Sequence, residues 1–180
     1  MRKTLYIATA VASLAMLWSC GTQKQVVTMP QEAPVQQMAE QVTPNPEVIS
    51  IAEAISIFEH PETTAEVTKK YGYTLKNGYE IYRLDKFSKM YYKNCKLAKI
   101  LTGTAYEDYP KPLRKGVSSY VAFKDGAIII GVFNQAAYDN LVAQVKAAGF
   151  VLDMPGNEDI YIKGGRTIGC YAGAKTVRVQ

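Results

Sequence analysis

A short apolar run at the start of this chain, followed by a tract rich in Gln and Pro, confines any packed fold to the residues after it. Arg2 and Lys3 precede the run, which covers residues 5–18 and is shorter than the roughly 20 apolar residues that span a bilayer. This order is typical of a secretory signal peptide, here over residues 1–19. Residues 21–44 then hold six Gln and three Pro, which bury too little apolar surface to offset the entropy of folding.

The apolar run ends in Leu17-Trp18-Ser19-Cys20. This segment resembles the lipobox of bacterial lipoproteins, although Trp18 stands where that family more often has a small or β-branched residue. The resemblance implies that Cys20 is acylated and becomes the first residue of the mature chain. Residues 20–44 would then be a lipidated cysteine and a flexible tether. The alternative is an ordinary secreted protein with a stray cysteine at this position.

The residue after the cysteine, Gly21, bears on location. By resemblance to lipoprotein sorting rules, a residue other than aspartate there implies the outer membrane. Some bacteria export lipoproteins to the cell surface through an acidic cluster next to the cysteine, and residues 21–25 have no acidic residue. We therefore expect the protein at the outer membrane, lipid-anchored through Cys20 on the periplasmic face, with the cell surface as the alternative.

Charge and motif content exclude several classes of function. The formal charge of +5 falls to +3 without residues 1–19, because these contain Arg2 and Lys3 and no acidic residue. This mild charge and the expected compartment argue against a nucleic-acid partner. The sequence has no Gly-rich phosphate loop, nucleophile elbow, zinc motif or dinucleotide fingerprint, so we expect no cofactor and no bound metal.

Residues 45–180 are predicted to form one globular α+β domain, with two or three helices packed on an antiparallel sheet. Asn45-Pro46-Glu47 predicts a helix start, because it offers a capping residue, a proline at the first helical position and an acid in the first turn. Apolar residues at helical spacing continue this helix to Phe58. A second helix is predicted from Pro61 to Gly72, which permits a left-handed ending.

Two turn signals predict hairpins. Asn77-Gly78 predicts a hairpin over residues 73–84, since this dipeptide favours a tight two-residue turn. Asp125-Gly126 joins two apolar stretches, residues 117–123 and 127–133, which are predicted to be paired strands.

The C-terminal third is predicted to hold one helix and four short strands. Asn134 is expected to cap a helix over residues 135–148, which Gly149 ends. A Gly164-Gly165 turn is expected to connect two of the strands. The four strands are predicted at residues 150–152, 160–162, 167–171 and 176–179.

Residues 71–82 and 148–162 share one pattern, in which a helix end is followed by glycine and a hairpin. The pattern predicts a helix–hairpin unit used twice. In this respect alone the chain resembles tandem helix-on-sheet inhibitor-like domains such as the β-lactamase inhibitor protein, and no function is transferred from that likeness.

Residues 85–101 fit either a helix or a strand. Five lysines recur at helical spacing from Lys86 to Lys99, and Asp85 and Gly103 would bound such a helix. The Met90-Tyr91-Tyr92 trio favours a strand instead. The lysines would form either a solvated face or a contact for anionic groups such as lipid head groups.

Cys95 and Cys170 are the cysteines that remain beside Cys20. An oxidising compartment and an even count favour a disulfide between them, and two buried unpaired thiols are the equal alternative. A catalytic Cys–His pair would need His60, which is expected to be an ordinary surface histidine because no sequence logic brings these residues together.

Carboxylates and tyrosines are the other candidate site residues. Residues 153–159 place three carboxylates around a glycine turn, but their spacing does not fit an EF-hand, so a polar hairpin loop is expected. Tyr106, Tyr109 and Tyr120 surround the loop Pro110-Lys111-Pro112 and are a candidate recognition surface. Half-buried strand positions are the alternative role for these tyrosines.

The sequence thus predicts a lipid-anchored cell-envelope lipoprotein that acts as a binding or scaffolding module for a protein or an envelope polymer. No catalytic residue is assigned. The alternative is a hydrolytic enzyme that acts on a cell-wall or nutrient polymer.

Overall fold

The computed structural model describes residues 42–81, 85–97 and 110–180. Within these ranges three helices pack against an eight-stranded antiparallel sheet, which confirms the predicted α+β class. The helices are α1 (Ile51–Glu59), α2 (Thr64–Lys70, entered through a 3-10 turn at Pro61–Thr63) and α3 (Gln135–Ala147). The strands are β1 (Thr74–Ile81), β2 (Asp85–Lys93), β3 (Cys95–Lys96), β4 (Lys111–Pro112), β5 (Ser119–Lys124), β6 (Ala127–Val132), β7 (Val151–Met154), β8 (Glu158–Lys163), β9 (Arg166–Tyr171) and β10 (Thr176–Val179).

The sheet has the order β1-β2-β5-β6-β10-β9-β8-β7, and β3 and β4 form a separate two-stranded ribbon. Each half of the sheet starts at an edge, with β1 or β7, and ends at the centre, where β6 and β10 pair. Two helix-and-meander units would give this order, while the repeat itself stays a prediction. No helix in the described ranges is long and apolar enough to cross a membrane.

The first helix begins five residues later than predicted, because its N-cap is Ser50 and not Asn45. Asn45 instead closes a turn, in which its side-chain oxygen accepts the Glu47 N–H at 2.9 Å. Ser50 is the N-cap of α1, and it exchanges hydrogen bonds with Glu53 in a capping box. The predicted start at Asn45-Pro46-Glu47 is therefore wrong, because the box satisfies two helix-end N–H groups at once whereas the earlier cap satisfies one.

Glu53 also ties α1 to the end of α2. Its carboxylate accepts hydrogen bonds from Lys70 Nζ at 2.7 Å, Tyr71 Oη at 2.6 Å and the Ser50 N–H at 3.0 Å. Burial raises the pKa of Glu53, but the bonds from Lys70, Tyr71 and Ser50 together outweigh it and lower the pKa to about 2.

We expect Glu53→Gln to lower the free energy of unfolding by roughly 2–3 kcal/mol at pH 7, because the folded chain holds this carboxylate charged far below its usual pKa. The contribution is present above the unfolded pKa near 4.5 and is lost as the pH falls towards 2, so the difference between variant and wild type should shrink over that window. Urea unfolding at several pH values measures it. Glu66→Gln, on the exposed side of α2, is the matched control. A pH-independent loss, or one no larger than the control's, would contradict the assignment.

The hairpin predicted around Asn77-Gly78 is wrong. β1 passes through this dipeptide as one strand and pairs with β2 in a single register, from Thr74 opposite Tyr92 to Ile81 opposite Asp85. The connection between the two strands, residues 82–84, lies outside the described residues. The turn signal is overridden because the longer pairing satisfies more backbone groups than a two-residue turn would.

Gly78 instead marks the point where the side chains of the β1–β2 hairpin change from one face of the sheet to the other. Its φ of 56° is a left-handed value inside a strand. On one side of it, Tyr91 packs under the helices. On the other side, Tyr79 and Phe87 have the same strand alternation as Tyr91 but pack with Met90 on the opposite face. The hairpin end therefore folds over that face, beside β5.

The sequence of residues 85–101 fits either a helix or a strand. In the structure, Asp85–Lys93 is a strand. Met90 and Tyr91 are buried between β1 and β5, which decides the conformation. The helical spacing of the lysines therefore does not gather them on one face, and Lys93 pairs with Glu47 at 2.7 Å. Residues 98–101, with Lys99, lie outside the described residues.

The elements predicted after position 117 are confirmed, including strands β5 and β6 and the four C-terminal strands. Asn134 caps α3 by accepting the Ala137 N–H at 2.8 Å, and Gly149 ends the helix with a φ of 81°. The sequence predicts these segments correctly because each is bounded by a cap or turn residue that acts locally.

The main core lies between the helices and one face of the sheet. Ile51 and Ile57 of α1 and Leu141 and Val145 of α3 are buried against the strands. The opposite face is covered over β1, β2 and β5 by a smaller cluster that includes Tyr79, Phe87, Met90 and Tyr120.

Candidate functional site

The structure describes only some of the predicted site residues, and it does not bring them together in one site. Cys20, Tyr106 and Tyr109 lie outside the described residues. Tyr120 is only 7% exposed and belongs to the smaller core cluster, so it does not form a recognition surface. Its position is the alternative that the sequence left open, a tyrosine packed into a strand.

Tyr120 lies flat against the backbone of a neighbouring strand. Its partner in β6 is Gly131, where an added Cβ would come within 2.1 Å of the Tyr120 ring. Phe133 flanks the ring with a centroid distance of 6.0 Å. Burial raises the pKa of Tyr120 to about 12, so its hydroxyl stays protonated at neutral pH.

Cys95 and Cys170 are both buried free thiols, which is the alternative to a disulfide between them. Cys95 Sγ lies 3.4 Å from the Ser119 carbonyl oxygen on β5, and Cys170 lies on β9, three strands away. With about 4.8 Å between strands, the two side chains are far beyond disulfide reach. Burial raises the pKa of Cys95 to about 11 and that of Cys170 to about 12, which keeps both thiols protonated and poorly nucleophilic.

His60 and the loop carboxylates are also separate. His60 is an exposed residue at the end of α1, with its Nδ1 3.4 Å from Glu62. Asp159 accepts the Gly156 N–H at 3.1 Å within the loop that follows β7. Among the described residues no three His, Cys, Asp or Glu side chains form a group that could hold a metal ion.

The structure exposes one surface that the sequence did not single out. In β10, Val177 and Val179 are buried under the helices, while Thr176 and Arg178 alternate with them and lie on the opposite side. We call this side of strands β6 to β10 the open face. Its members are Ile129, Glu158, Ile160, Ile162, Tyr171, Thr176 and Arg178, with Val151 and Met154 of β7 opposite Ile162 and Ile160.

An ion pair occupies the middle of the open face. Arg178 donates two hydrogen bonds to Glu158, from Nε at 3.0 Å and from Nη2 at 2.8 Å, and its Nη1 bonds Gln180. Strand β9 lies between β8 and β10, and the two side chains meet above its Gly169. An added Cβ at this glycine would come within 2.1 Å of Glu158 Oε1. Only glycine leaves room for this arrangement, which fixes the orientation of both charged groups.

Exposed apolar side chains share the open face with the ion pair. Tyr171 is 42% exposed and Ile162 is 42% exposed, while Met154 and Val151 on the edge strand β7 are more exposed still. A shallow depression of about 320 Å³ lies between Ile129, the ion pair and Tyr171. The arrangement offers rigid hydrogen-bonding groups and apolar contact area side by side.

Sequence reasoning missed this face although part of the signal is present. Alternation in Thr176–Val179 already separates Arg178 from the two valines. What the alternation does not show is that Glu158 and Arg178, two strands apart, meet across Gly169, because this depends on the register of β8, β9 and β10. No family model, curated protein or solved structure matches this chain.

Proposed function

We propose that this chain is a lipid-anchored protein of the bacterial cell envelope that binds a partner protein through the open face. The lipobox-like segment ending in Cys20 supports the anchor, and residues 21–44 would let the domain reach away from the membrane. The outer membrane, on its periplasmic face, is the proposed location.

The open face is the observation that carries the binding function. Within the described residues the helices cover only the other side of β8–β10. Tyr171, Ile162, Met154 and Val151 therefore expose apolar surface together, which is typical of protein-binding sites. Tyrosine and arginine are also the residue types enriched where binding energy concentrates.

Pairing with a second copy of the chain through the sheet edge is disfavoured. β7 is the exposed edge of this half of the sheet, and its pairing with β8 is interrupted by a bulge between Leu152 and Met154. A bulge and a charged residue, Asp153, oppose edge-to-edge pairing of identical strands. We therefore expect the purified chain not to dimerise by pairing of its β7 edges.

Photo-crosslinking in intact cells tests the proposal. A photoreactive residue at Tyr171 should give a discrete adduct, and the same residue at Lys69 on α2 should not. The adduct's partner, identified and purified, should bind the purified chain, and Tyr171→Ser should weaken that binding at least about tenfold, as expected for a central aromatic contact. Lys69→Ser should leave it within about twofold.

Three results would contradict the proposal. One is equal crosslinking from both positions, and another is an adduct that consists only of a second copy of this chain. The third is a partner whose affinity does not change in Tyr171→Ser.

A further inference from the structure

The loop at residues 111–116, here called the basic loop, carries a concentration of charge away from the open face. Lys111, Arg114 and Lys115 are all exposed, and none of these side chains forms an ion pair with another described residue. Leu113 lies between them with 65% of its surface exposed. An aliphatic side chain at the tip of a loop is thus flanked on both sides by cations.

The basic loop is held in one conformation by buried polar groups. β4 pairs with β3, and the Ser118 hydroxyl, only 2% exposed, accepts the Arg114 N–H at 3.1 Å. The same hydroxyl lies 2.7 Å from the carbonyl oxygen of Asn94, whose side-chain amide bonds the Val117 carbonyl. Leu113 is therefore displayed at little further cost in conformational entropy.

Two backbone N–H groups of the basic loop are already bonded within the protein. The Leu113 N–H donates to the Asn94 carbonyl at 2.7 Å, the Arg114 N–H donates to Ser118, and Pro112 has no N–H. Leu113 can therefore enter a weakly hydrated environment without leaving its own amide donor or that of Arg114 unpaired.

We propose that the basic loop docks on the anionic surface of a phospholipid bilayer. Leu113 inserts among the head groups while Lys111, Arg114 and Lys115 contact the lipid phosphates. Charge complementarity and the apolar tip together fit this partner, since interfacial contacts combine buried apolar area with cations that meet anionic lipid. An acidic protein would match the charges but would need a pocket for Leu113.

Vesicle co-sedimentation tests the docking on a chain of residues 20–180 that carries Cys20→Ala, so that acylation does not contribute. Vesicles of equal parts phosphatidylglycerol and phosphatidylcholine should bind the chain, and pure phosphatidylcholine should bind it far less. The triple variant K111S/R114S/K115S should bind about a hundredfold more weakly, since each cation near an anionic surface strengthens binding about fivefold. The control K69S/K76S/K89S removes the same charge from α2, β1 and β2.

A tryptophan at the tip reports insertion directly. Trp18 is the only tryptophan of the sequence and precedes this chain, so Leu113→Trp gives a single probe. Its emission should shift to the blue with phosphatidylglycerol vesicles and stay unshifted with polyglutamate or inorganic phosphate. Equal weakening in the triple variant and the control would overturn the proposal. So would a tryptophan shift that is absent with vesicles or equal with polyglutamate.

Discussion

Cys20→Ala should abolish fatty-acid labelling of the protein and release it from the membrane fraction. Each buried CH₂ of an acyl chain contributes about 0.8 kcal/mol, so two or more chains make attachment effectively permanent, whereas the loss of the thiol leaves no acceptor. The measurement is metabolic labelling with a fatty-acid analogue, followed by fractionation in high salt, which removes proteins held only by charge.

Cys95→Ala and Cys170→Ala are the matched controls, because each also removes one thiol. Both thiols are buried and both have raised pKa values, so labelling should persist in these variants. Labelled Cys20→Ala protein, or a mature chain whose mass shows another first residue, would remove the basis for the lipid anchor. The open face and the basic loop would still be testable, since both lie in residues 110–180.

The second large effect is expected for Gly131→Ala. The new methyl group would lie 2.1 Å from the Tyr120 ring, and this ring is buried between Gly131 and Phe133 with little room to move. Overpacking of this kind costs about 1–3 kcal/mol or more, and we expect about 3 kcal/mol because a ring rather than a flexible chain end must shift. Urea unfolding should show a lower midpoint with an unchanged slope.

A double-mutant cycle tests whether the Tyr120 ring is the cause. In a Tyr120→Leu background, Gly131→Ala should cost at least about 1.5 kcal/mol less than in the wild type, since the clashing atoms are gone. Gly156→Ala is the matched control, because a Cβ there has only ordinary contacts, and it should change stability by less than about 0.5 kcal/mol. Additive effects of the two substitutions would contradict the packing described for Tyr120.

The sequence predicted the elements of the C-terminal part best. Asn134 and Gly149 bound α3, and Gly164-Gly165 joins two strands, as expected from caps and turns that act within a few residues. The same local reasoning failed at Asn77-Gly78, where the pairing of β1 with β2 outweighs the turn signal. It also missed the Ser50–Glu53 capping box, which was visible as Ser-x-x-Glu before the helix.

The candidate site could be predicted only in part. Tyr120 was a reasonable choice by composition, but its burial follows from the glycine opposite it in β6, and that opposition is a matter of register. The charge of the basic loop can be recognised in the sequence Lys-Pro-Leu-Arg-Lys. Its rigidity depends on Ser118 and Asn94, which are distant from each other in sequence.

By itself, the sequence determined the α+β class, most strand and helix positions after residue 117, and the resemblance that implies a lipid anchor at Cys20. The tertiary structure decided which sheet face stays uncovered, why Cys95 and Cys170 are not bonded, and how Glu158 meets Arg178 across Gly169. The physical reason is that caps, turns and alternation are short-range interactions within one segment. Faces, pairings and clashes depend instead on the register between strands that the chain brings together only when it folds.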